Sequence, residues 1–301
     1  VLDANSTLKF TNDSSVDIAA GETKADGSAF KIASGNASVA GQVVVSGAAT
    51  IDGKKITISK AMGAGLDSNL SVTADELTLG DSSAHFDGQA SLGVASLTAK
   101  NLKFADKNTF VLADDITLSN LADDATDATR KVAQKGTITG PVIISGTKAI
   151  TVDGGLYTST GDITISGGAV KILNKKNADA SSLTVNGGNL ILDRAANDGV
   201  ITVSGTRVAS SALLDLSKVT VKYKENPAAT TYNVKFEAQS GGEIKLKGED
   251  IAALLGNGSN SGAVFDIGTY GQLTATGDLT LPTSLIKGQA TTSSTFHKYG
   301  N

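Results

Sequence analysis

Hydrophobic and polar residues alternate along this chain in very short runs. The pattern is clearest between residues 142 and 203. There Val142-Ile143-Ile144, Ile150-Thr151-Val152, Ile163-Thr164-Ile165, Val170-Lys171-Ile172, Leu183-Thr184-Val185, Leu190-Ile191-Leu192 and Ile201-Thr202-Val203 follow one another. Turn residues such as Asp153-Gly154-Gly155, Ser166-Gly167-Gly168 and Asn186-Gly187-Gly188 separate them. Alternation of period two over so few residues predicts half-buried strands, and Gly and Asn supply the positive-φ corners between them. Successive runs mostly begin about seven residues apart, so three of them would close a coil of roughly twenty residues, within the range of solenoid repeats.

Similar runs lie on both sides, among them Leu8-Lys9-Phe10, Val16-Asp17-Ile18, Leu77-Thr78-Leu79, Val264-Phe265-Asp266-Ile267 and Leu279-Thr280-Leu281. A three-residue strand cannot stabilise a free-standing sheet, but it can when each coil stacks on the next. The expected fold is therefore all-β: a right-handed parallel β-helix (β-solenoid) with about three short strands per coil, forming a single domain over 1–301. An antiparallel sandwich would need longer strands and larger inward side chains.

Two stretches break the rhythm. In 121–135, Leu121, Ala125, Ala128 and Val132 fall at three- and four-residue steps, with Asp123, Asp124 and Asp127 early and Arg130, Lys131 and Lys135 late. That order suits a helix dipole and predicts a short helical insert. A second short helix is expected where Glu249 and Asp250 precede Ile251, Leu254 and Leu255, with Gly256 as its stop. The part 206–301 is less regular, and loops 60–68, 80–91 and 174–181 are expected to project.

Composition sharpens this picture. The chain has 34 Gly, 3 Pro, 4% aromatic residues and no Cys, which fits a thin aliphatic stack better than a thick aromatic core. Net charge is −4 with no basic stripe, so nucleic acid is an unfavoured partner. Without Cys there is no disulfide and no thiolate chemistry. Apolar runs are far too short for a transmembrane helix. A start at Val1 fits a mature protein that has lost a leader.

The runs GDITISGGAVKILN, SSLTVNGGNLILD and DGVITVSG, with the opening ANSTLKFTNDSSVDIAAGE, resemble the passenger β-helices of bacterial autotransporters and filamentous-haemagglutinin-like adhesins. The resemblance implies a secreted or cell-surface protein of a Gram-negative bacterium.

Candidate chemistry is sparse. Asp114-Asp115 and Asp123-Asp124 are the aspartate doublets, and only Arg130 lies near one of them. His85 sits in DSSAHFD, but neighbours in one loop do not reach triad geometry and no G-x-S-x-G elbow is present. His297 lies in a polar tail. No catalytic residue, metal ligand or cofactor is assigned.

The expected function is that of a non-enzymatic structural protein, secreted or at the cell surface. It would self-assemble head to tail through its solenoid ends into a filament, sheath or surface layer. The end strands nominate an assembly interface of Leu8, Phe10, Val16, Ile18, Val264, Phe265, Ile267, Leu279 and Leu281. The alternatives are an adhesin passenger that binds a cell-surface ligand through its loops and, third, a polysaccharide-active enzyme.

Overall fold

A computed structural model describes residues 7–9, 15–18, 31–33, 37–39, 48–58, 69–79, 96–105, 110–112, 114–175, 177–193, 199–206, 208, 211–224, 234–255, 263–280 and 295–299. Side chains are described within those ranges from residue 73 to 280.

The strands are β1 (Thr7–Lys9), β2 (Ser15–Ile18), β3 (Lys31–Ala33), β4 (Ala37–Val39), β5 (Ala48–Ile58), β6 (Asn69–Leu79), β7 (Ser96–Phe104), β8 (Phe110–Leu112), β9 (Ile116–Leu118), β10 (Leu121–Asp123), β11 (Lys131–Ala133), β12 (Lys135–Thr139), β13 (Val142–Ser145) and β14 (Ala149–Asp153). They continue as β15 (Gly155–Ser159), β16 (Ile163–Ser166), β17 (Ala169–Leu173), β18 (Ser181–Val185), β19 (Leu190–Leu192), β20 (Val200–Ser204), β21 (Ala212–Asp215), β22 (Val221–Tyr223), β23 (Lys235–Gln239) and β24 (Gly242–Lys247). Helix α1 (Gly248–Leu255) comes next, then β25 (Val264–Ile267), β26 (Gln272–Thr276) and β27 (Thr295–Tyr299).

The expectation of a right-handed parallel β-helix is corrected. Most strands join one 20-stranded sheet instead of keeping to separate faces, and thirteen of them make a nearly closed, barrel-like parallel sheet. Local rhythm explains the difference. A seven-residue beat sets the length of strands and the place of turns, but it does not set how successive strands close on one another. Sheets of this nearly all-parallel kind are the sheets of α/β folds, yet α1 is the one helix among the described residues.

Contacts divide the chain into two compact units, 1–119 with 137–142, and 120–136 with 143–301. In the first, β5, β6 and β7 are parallel neighbours of 9 to 11 residues, longer than the three-residue pieces expected. Each of β6 and β7 is two short alternating runs joined by two consecutive outward residues, Asp75-Glu76 and Lys100-Asn101. Inward side chains stack in register across these strands: Ala74, Ala99 and Leu118 in one row, Leu77, Leu102 and Ile138 in the next. All six are 3% exposed or less.

In the second unit, β14, β17, β20, β23 and β25 pair in parallel and align Ile150, Val170, Ile201, Phe236 and Phe265. A parallel run of β15, β18, β21, β24, β26 and β27 aligns Tyr157, Leu183, Leu214, Ile244 and Leu273. Strands β16, β19 and β22 form a third run. Burying such rows of aliphatic side chains is the main stabilising term of the unit, at roughly 25 cal/mol per Å² of apolar surface removed from water.

The helix expected at 121–135 is an antiparallel hairpin of β10 and β11. Its turn is held by side chains that capture backbone amides. Asp124 Oδ1 accepts from the Thr126 and Asp127 amides at 2.8 and 3.2 Å, and Asp127 Oδ1 accepts from Thr129 N at 2.9 Å. Asp and Thr compete with the helical backbone in this way, and here that competition outweighs the three- and four-residue spacing of apolar residues.

Candidate functional site

The C-terminal strands supply the clearest departure from a finished surface. Along the first run of the second unit the inward residues of β23, Phe236 and Ala238, are fully buried at 0% exposure. One strand further on, the burial falls away: on β25, Phe265 and Ile267 are half-buried, and the outward Val264 is 54% exposed. The Phe265 ring stacks on Phe236 with 4.8 Å between centroids and 19° between planes, so one face of this aromatic is packed and its burial is incomplete.

The outward face beside it is charged and self-compensating. Lys235 Nζ lies 2.6 Å from Glu237 Oε1 and 2.8 Å from Asp266 Oδ2. Thr202 Oγ1 donates to Glu237 Oε2 at 3.1 Å. The hydrogen bond to Asp266, then that to Glu237, holds the Lys235 ammonium protonated well above its usual range. These groups are solvent-accessible, so the pairs contribute little to stability.

The other nominated residues fall elsewhere. Leu8 lies on β1 in register with Ile51 of β5. Val16 and Ile18 lie on β2, which pairs antiparallel with β3 and parallel with β4. Leu279 follows β26 and is half-buried. Phe10, Leu281, His85 and loops 60–68 and 80–91 lie outside the described residues. His297 is on β27, in register with Thr274.

The aspartate doublets do not converge on one site. Asp114 is buried, at 7% exposure, beside an exposed Asp115. Asp123 pairs with Lys131 across the hairpin. Hydrogen bonds from the Thr126 backbone and hydroxyl, and from Asp127, hold the Asp124 carboxyl below its ordinary range; those from Thr129 do the same for Asp127. Among the described residues, no three His, Cys, Asp or Glu side chains are placed to hold a metal ion, and no helix is long and apolar enough to cross a membrane.

Two segments marked separately in the sequence meet. Asn177 Nδ2, in the stretch 174–181, donates to Thr129 O at 2.7 Å, and Ala133 N donates to Asp179 Oδ1 at 2.7 Å. Asn174 anchors that stretch from below. Its Nδ2 donates to Ala178 O and Ser211 O, and its Oδ1 accepts from Ala178 N.

A polar cleft of about 490 Å³ went unnoticed in the sequence. It crosses β6, β7 and β12 and is lined by Glu76, Asn101, Leu102, Lys103, Thr137 and Thr139. Parallel register makes it: Glu76 faces Asn101, and Lys103 faces Thr139. Asn101 Oδ1 accepts from both Thr137 N, at 3.0 Å, and Thr137 Oγ1, at 3.1 Å. The residues are far apart in sequence, and only their outward alternation hinted at them.

No family model matches the chain, and no curated protein or solved structure matches it significantly.

Proposed function

We propose that this chain is a non-enzymatic structural protein, secreted or displayed on a bacterial surface, that associates with copies of itself through the exposed apolar surface at Val264 and Phe265 on β25. The observation that carries the reading is the fall in burial between β23 and β25. Each strand of the run covers the inward apolar row of the one before it. On β25 that row is half-covered, and Val264 adds an exposed apolar side chain beside it. A second copy laid against this strand would bury Val264 and more of Phe265, and the gain grows with the apolar area removed from water. A head-to-tail contact whose rotation does not close propagates as a fibre. The resemblance to autotransporter passengers fits a surface location of this kind.

Electron microscopy of the purified chain over a concentration series tests the reading. The unaltered chain is expected to form extended particles and Phe265→Glu to remain single. Single particles of the unaltered chain at the highest concentration would sink it.

A second reading, that of an adhesin passenger, is favoured by the cleft on β6, β7 and β12. Its mixed donors, acceptors and balanced charge suit a polar, uncharged ligand such as a glycan. Binding of glycan-coated surfaces that persists unchanged in Glu76→Gln and Lys103→Ala would remove this reading.

A further inference from the structure

We propose that helix α1 is an end cap that occupies the place of the next strand beyond β22 and withholds that edge from another chain. The inference rests on the reading of self-association given above and adds a sheet edge, that of β22, together with the device that blocks it.

Order along the chain shows the substitution. Strand β15 is followed by β16, β18 by β19 and β21 by β22, and these third strands pair in parallel. Strand β24 is followed directly by α1. The sequence explains the switch: Gly248-Glu249-Asp250-Ile251-Ala252-Ala253-Leu254-Leu255 has strong helix formers and acids in its first turn, where a rung of the ladder would carry β-branched residues.

Hydrogen bonding locates the cap on the edge. Lys224 N donates to Leu192 O, and Leu190 N donates to Thr220 O. Residues 220 and 224 thus face β19, and with the alternation of a strand the Val221 amide points the opposite way, toward the position of a further strand. There it donates to Asp250 Oδ2 at 3.2 Å. A carboxylate of α1 therefore stands where a backbone carbonyl of the next rung would stand. The Tyr223 hydroxyl adds a tether from the same strand, donating to Leu254 O at 3.0 Å. Ile251 and Leu254, each 1% exposed, seal the apolar side of the contact. Covering an edge with a helix is one of the ways proteins stop a sheet from growing.

The test uses the full chain carrying Val264→Lys, which blocks the β25 contact, with and without the further pair Asp250→Ala and Tyr223→Phe. Amide exchange at Val221 and sedimentation velocity are read on both. The pair of substitutions is expected to speed Val221 exchange by about tenfold or more and to produce concentration-dependent association that Val264→Lys alone lacks. A milder variant, Tyr223→Phe alone, keeps Asp250 in place and is expected to give a smaller change in the same direction, which guards against a variant that fails to fold. Faster Val221 exchange with no association would overturn the capping role, and unchanged exchange would overturn the contact on which it depends. Failure of the unaltered chain to associate, with association appearing on uncapping, would count against the β25 reading while supporting the cap.

Discussion

At the scale of single residues, the strongest constraints are buried polar groups with full sets of partners. Asn174 is 3% exposed and makes three hydrogen bonds that pin the 174–178 corner to Ser211. Asn174→Ala leaves the Ala178 N–H and two carbonyls without it and should lower stability by about 2–4 kcal/mol, read from the urea midpoint. Ser159 is the opposite case. It is fully buried on β15, and its hydroxyl has no partner among the described residues. Ser159→Ala should therefore be neutral or raise stability by up to about 1 kcal/mol; a loss of similar size would show that the hydroxyl is satisfied after all. Backbone geometry is as strict at Gly140, where φ is +94° and an added Cβ would lie 2.2 Å from Phe104 O. Neither demand was visible in the sequence, where Asn174 read as the start of a projecting loop and nothing set Gly140 apart from the other glycines.

At the scale of elements, strand positions were legible and their partners were not. The runs at Ile150, Ile163, Val170, Leu183, Leu190 and Ile201 are all strands, because period-two alternation reports a half-buried strand directly. The helix at 248–255 was legible too, from its acids and apolar spacing. The segment 121–135 was misread because helical spacing of Leu121, Ala125, Ala128 and Val132 is also what a hairpin with a seven-residue connection produces by chance. The deciding interactions, Asp124 and Asp127 with the amides ahead of them, are local but compete with helix on equal terms. The pH behaviour of the two elements should differ in sign. Asp124 and Asp127 have carboxyls held below 3.8 by their hydrogen bonds, so their contribution to the hairpin is present above the unfolded value and is lost as pH falls through the folded one. Asp250 is shifted the other way, raised above 3.8 chiefly by burial, so its contribution is complete below the unfolded value and is lost as pH rises through the folded one. Amide exchange followed from neutral pH into mild acid, corrected for intrinsic rates, should show α1 more protected as Asp250 takes up its proton, and Asp250→Asn should flatten that response. At still lower pH the hairpin turn should loosen first. Exchange in α1 that slows equally in Asp250→Asn would remove Asp250 as the cause.

At the scale of the whole molecule, the sequence conveyed strand content and parallel habit without conveying closure. A short strand needs a neighbour on each side, and a regular turn rhythm says only that the neighbours come soon. It leaves open whether the strands sort into separate faces or merge into one sheet, and the merging into a 20-stranded sheet was not predicted. The nominated interface shows the same limit. Its N-terminal members on β2 lie between two paired strands, whereas Val264 and Phe265 lie on a strand whose apolar row is half-covered. Burial, which depends on the whole fold, separates Phe236 from Phe265, residues that the alternation pattern treats alike. Self-association thus belongs to β25 and its restraint to α1. The most direct check is sedimentation velocity of the unaltered chain and of Phe265→Glu over a hundredfold range of concentration at neutral pH. The unaltered chain should shift to faster-sedimenting species as concentration rises, and Phe265→Glu should stay at the monomer value throughout. Two identical profiles, whether both monomeric or both associating, would contradict self-association through β25.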